Sequence, residues 1–107
     1  MTGFNPNNAS NATPVYVGAV PVGNVKGYEQ LGTLSAASTL DPTAGASNAM
    51  IIVSGAPVRW RADGTAPTAS VGMPVAEGET IVIGGPLMGA IQFIEQSGTA
   101  ELDVTYF

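Results

Sequence analysis

The sequence predicts an all-β protein: a single antiparallel β-sandwich, jelly-roll-like, with an extended N-terminal arm. Three observations predict it. Fourteen glycines and eight prolines in 107 residues leave no helix-sized window free of breakers outside residues 33–40. Short apolar runs recur with turn residues between them, at the roughly eight-to-twelve-residue spacing of a sandwich or small barrel. Several of the runs alternate apolar and polar side chains with period two, the pattern of a strand covered on one face. The length suits one domain of about seven or eight strands, the size of a compact jelly roll.

Residues 1–14 are rich in Asn, Ser, Thr and Pro, with Phe4 as their one large aromatic side chain. They bury too little to offset the entropy of ordering and are expected to form an arm, which leaves residues 15–107 for the sandwich. This arm has neither a basic segment nor an apolar core, so it does not read as a signal peptide. Strands are expected over Thr13–Val20 and Tyr28–Leu34, with a loop over Asp41–Ser47. Met50-Ile51-Ile52-Val53 is a continuous apolar run between Asn48 and Gly55, as in a strand covered on both faces. Further strands are expected at Val58–Arg61, Thr80–Ile83, Ala90–Glu95 and Leu102–Phe107. The last two are joined by Gln96-Ser97-Gly98-Thr99, a connection with good turn composition.

Composition narrows the chemistry. Cysteine and histidine are both absent, which removes thiol nucleophiles, cysteine zinc sites and the side chain that most often serves as general base near neutral pH. Charged residues make up 10% of the chain, against about 25% in an ordinary soluble domain. A surface so poor in charge suits a protein that packs against other subunits, and a homo-oligomer, dimer or trimer, is expected. With three basic residues and a net charge of -5, the chain cannot supply the electrostatic attraction that nucleic-acid binding needs. VYVGAVPVG is too short to span a bilayer and holds a proline, so no membrane partner is expected.

Two of the three basic residues flank the single tryptophan in the stretch RWRADGTAPT, Arg59 to Thr68. In a strand, Val58 and Trp60 share one face while Arg59 and Arg61 share the other, so the apparent cluster splits into a core residue and two outward cations. The arginines are expected to pair across the sheet with Glu95 or Asp103, or to face an acidic surface on another subunit. Asp63-Gly64 reads as a turn, and it lacks the acidic series of a calcium loop. Glu77 and Glu79 flank Gly78 in a second turn, an arrangement unlike a glycosidase pair. No catalytic residue, cofactor or metal ligand is expected. Phe4, Arg59 and Arg61 are the expected partner contacts.

From Val58 onward the chain resembles a recurring tail of small β-rich virion proteins of tailed bacteriophages. That tail has an R-x-D-G-x-x-P-T loop, a Gly-x-Pro/Leu turn, a strand and a final I-x-F-I…L-x-V-x-Y hairpin, in this order. Here the pattern falls on Arg61, Asp63, Gly64, Pro67, Thr68, Gly72, Pro74, Gly78, Ile91, Phe93, Ile94, Leu102, Val104 and Tyr106, nearly half of the chain. The resemblance implies a non-enzymatic structural protein, most like a capsid decoration (cement or staple) protein. Its partner would be the major capsid protein and its place the outer surface of the capsid. Related sandwiches include carbohydrate-binding modules, which gives Trp60, Tyr16 or Tyr28 as a stacking platform in a second reading. A neck or tail accessory protein of the same particle is a third.

Overall fold

A computed structural model describes residues 25–107. Phe4, the expected arm and the strand expected over Thr13–Val20 lie outside the described residues. The remainder forms eight strands: β1 (Gly27–Leu31), β2 (Ser38–Thr39), β3 (Asn48–Ser54), β4 (Val58–Arg61), β5 (Met73–Val75), β6 (Thr80–Gly84), β7 (Gln92–Glu95) and β8 (Glu101–Tyr106). The one helical element among them, α1 (Leu87–Ala90), is a single turn that starts behind Pro86. No helix among the described residues is long and apolar enough to cross a membrane.

The strands make two four-stranded antiparallel sheets, ordered β1-β8-β3-β6 (sheet A) and β2-β7-β4-β5 (sheet B). Chain order alternates between the sheets at every step except β4 to β5. Period two then decides which side chains enter the core. In sheet A, Ala49, Ile51 and Val53 of β3 and Leu102, Val104 and Tyr106 of β8 are buried, while Met50, Ile52, Asp103 and Thr105 point away. Ile83 of β6 joins the buried side chains, sheet B contributes Val58, Val75 and Phe93 to the same apolar cluster, and Leu34, Leu40, Met88 and Ile91 enter it from the connections. Each large side chain fully withdrawn from water contributes about 1.5–3 kcal/mol, so this shared core is what holds the two sheets together.

Several expectations change in detail. Tyr28–Leu34 shortens to β1, and residues 33–40, the window least interrupted by breakers, hold bends and the two-residue β2. β5 was not expected, because Met73-Pro74-Val75 reads as a turn. A proline is compatible with its place at the edge of sheet B, where one side of the strand has no ladder partner among the described residues. The apolar run of β3 is covered on one face only: Ile51 is buried but Ile52 is 37% exposed.

Candidate functional site: the β4–β5 loop and its cleft

β4 leaves sheet B at Arg61, and the chain returns as β5 twelve residues later; the connection is fixed by the two arginines of β4 and by Thr68 and Gly72 within the loop. Arg59 lies opposite Pro74 in the β4–β5 ladder. Its guanidinium reaches over the loop, where Nε donates to the Ala69 carbonyl at 3.1 Å and Nη1 donates to the Gly72 carbonyl at 2.9 Å. Thr68 closes the tip: its Oγ1 accepts from the backbone N–H groups of Ser70 and Val71, and its own N–H donates to the Val71 carbonyl at 2.9 Å. Such hydroxyl-to-backbone bonds favour a turn over a continued strand.

Gly72 is what lets this arrangement close. Its φ is +145°, and a Cβ there would lie 3.1 Å from Arg59 Cβ, 3.1 Å from the Trp60 carbonyl oxygen and 3.2 Å from Pro67 Cβ. Pro67 is buried beneath the loop. A side chain at position 72 would therefore push apart the loop and the strand that it folds back on.

Arg61 pairs within the same segment. Its Nε and Nη2 bind the two Asp63 carboxylate oxygens at 3.0 and 2.5 Å, a two-point contact across two residues. The hydrogen bond from Arg61 holds the Asp63 carboxyl below the usual aspartate range, and the same bond raises the Arg61 guanidinium. Both groups reach solvent, so the pair orders the loop more than it stabilises the fold.

Trp60 continues the inner face of β4 two residues beyond the fully buried Val58. The cover over that face gives out here. Trp60 packs on the core but is only partly buried, and Met73, its partner in the β5 ladder, is 56% exposed. With Val71 at 51% exposure they line an open cleft of about 390 Å³, closed on one side by Arg61, Ala62 and Asp63. Period two separates Trp60 from Arg61 along the strand, but both meet in the cleft because it lies at the strand's end. The chemistry on offer is an apolar floor, one aromatic ring and a self-neutralised ion pair.

Compared with known proteins, the chain matches no family model, no curated protein and no solved structure.

The expected contact residues thus fall in different places. Phe4 is outside the described residues, while Arg59 and Arg61 share β4 but serve separate contacts. Neither arginine pairs across a sheet as expected. Glu95 lies opposite Val58 and accepts from the Ala100 N–H, and Asp103 belongs to sheet A, where Tyr28 and Gln30 donate to it. Of the alternative stacking residues, Trp60 and Tyr28 stand in different sheets and Tyr16 lies outside the described residues. The sequence did carry a signal for the Arg61 pair: an Arg and an Asp two apart at a strand-to-turn exit. It held none for Arg59, whose acceptors are carbonyls ten and thirteen positions further on.

A second polar cluster sits at the far end of sheet A. The Tyr106 hydroxyl donates to Glu29 Oε1, which also accepts from the Asp41 N–H at 2.9 Å. Burial of the ring and this bond to a carboxylate raise the Tyr106 hydroxyl well above the usual tyrosine value. The contact ties β8 to β1 and to the loop before β3, and it is structural.

Proposed function

We propose that this chain is a non-enzymatic virion protein of a tailed bacteriophage that decorates the capsid and stabilises it by binding across neighbouring major capsid protein subunits. One observation carries the reading. Five of the fourteen residues on which the resemblance rests, Arg61, Asp63, Pro67, Thr68 and Gly72, spend their polar groups and their shapes on fixing the β4–β5 loop, and the cleft beside that loop displays Trp60 of β4, Val71 of the loop and Met73 of β5. Shared residues that shape a surface, with no reacting groups converging on it, fit a binding protein. A loop held rigid before binding loses little entropy on docking. The strand order supports the jelly-roll form of the sandwich, with eight strands in two sheets of four and the chain crossing between sheets at nearly every step.

The work is thermodynamic. A protein that binds the assembled shell and not its separated subunits stabilises the shell by mass action. Particles with and without the protein are therefore expected to differ in resistance to heat or chelator. Equal resistance sinks the proposal.

One observation favours a carbohydrate-binding module as the second reading: a partly buried tryptophan beside a bidentate Arg–Asp pair, both lining an open cleft, suits stacking on a sugar ring. A glycan array separates the two, because saturable sugar binding that is lost in Trp60→Ala belongs to this reading alone.

A further inference from the structure

Among the described residues, the free edges of the two sheets differ in kind. β2 has two residues, β5 has three and holds Pro74, and β1 carries Glu29. Shortness, proline and charge are the devices that keep an edge strand from pairing with another chain. β6, Thr80-Ile81-Val82-Ile83-Gly84, has none of them, and among the described residues it pairs with β3 alone.

Its backbone is also aimed outward in a regular way. Val53 N–H donates to the Glu79 carbonyl and Gly85 N–H donates to the Ser47 carbonyl. The ladder between them steps by two, so Ile81 and Ile83 spend their backbone groups on β3. The N–H and C=O groups of Thr80, Val82 and Gly84 then point to the free edge.

The outer face next to this edge is uncharged. Met50 and Ile52 of β3 and Thr80 and Val82 of β6 point away from the core, and Ile52 is 37% exposed. The other half of the face, β1 and β8, carries Glu101 and Asp103. A basic partner would choose that acidic half. A second copy of this chain, with eight acidic residues against three basic ones, is on balance repelled there and approaches at least cost where neither molecule brings charge.

We propose that β6 pairs antiparallel with β6 of a second copy about a two-fold axis at Val82, joining the two A sheets edge to edge. Val82 faces Val82 of the partner subunit and Thr80 faces Gly84 of the partner subunit, so each facing pair exchanges both backbone hydrogen bonds. Glu79 then falls opposite a glycine, Gly85, and no like charges meet. This gives a surface to the self-association expected from the composition, on which it rests. It is independent of shell binding, since it is measured on the free protein while the particle assay decides the proposed function.

The test uses the full chain. A short edge makes a weak interface, so sedimentation is run at on the order of 100 µM protein. Wild type is expected at the dimer mass and Val82→Lys at the monomer mass, with Thr105→Lys on the β8 half still dimeric. Because Val82→Lys could disturb folding, a milder variant accompanies it. The chain has no cysteine, so Val82→Cys under diamide is expected to give a covalent dimer: facing Cα atoms in a hydrogen-bonded pair lie about 5.5 Å apart, within disulfide range. Met50→Cys, one strand further in, is too far from its symmetry mate to bridge. Monomeric wild type overturns the proposal, as happens if the chain's own N-terminal segment or a foreign partner occupies this edge. A trimer overturns it too, as does Val82→Cys that links no faster than Met50→Cys.

Discussion

Replacing Arg59 by methionine keeps the aliphatic stem and removes both donors, and so asks whether this arginine holds its own loop or waits for a partner. The two lost bonds are charge-assisted, a kind that contributes about 1.5–3 kcal/mol each when well buried. Here the bond to Ala69 is exposed and falls below that range, at about 1 kcal/mol, while the partly buried bond to Gly72 sits at its lower end, about 1.5 kcal/mol. The expected loss is about 2–3 kcal/mol, or a fall in Tm of roughly 10 °C or more for a domain of this size. Urea unfolding of the free protein followed by Trp60 fluorescence reads it, since Trp60 borders the loop. Hydrogen exchange at the Val71 amide, bonded within the loop tip, reads local opening in the same variant. A loss below about 0.5 kcal/mol with unchanged exchange refutes the staple and returns Arg59 to the outward, partner-facing role expected from the sequence.

Two further outcomes follow from other contacts. Gly72→Ala is expected to cost about 1–3 kcal/mol, from an unfavourable φ and contacts with Arg59 and Pro67; a neutral result in thermal denaturation contradicts the close approach described. Stability is expected to fall as pH rises above about 10, where tyrosine ionises in the unfolded chain but the raised Tyr106 hydroxyl keeps its proton in the fold. The slope is at most about 1.4 kcal/mol per pH unit, and Tyr106→Phe, itself destabilising by about 1 kcal/mol at neutral pH, removes this part of it. An unchanged alkaline slope in Tyr106→Phe assigns it elsewhere.

Much of the fold was legible because the strands of the second half advertise themselves. β3, β4, β6, β7 and β8 all coincide with apolar or alternating runs, since each covers at least one face of the core. β5 was hidden by Pro74, which signals a turn unless the strand is known to be an edge, and edge status is a property of the assembled sheet. β2 is too short to show a period. Ile52 misled for a related reason: an apolar letter states what a residue tolerates, and whether its face is covered depends on what packs there. In the site, Asp63 and Gly64 are readable as turn residues because their interactions are local, whereas the turn that Thr68 closes at the loop tip is not read from the residues themselves. Arg59 was not readable either, because its partners are backbone carbonyls whose position depends on the whole path of the loop.

Position in the particle tests the central claim most directly. Virions imaged with this protein labelled are predicted to carry the label regularly over the outer surface of the head. Label confined to the neck or tail, or its absence from the particle, contradicts the decoration reading.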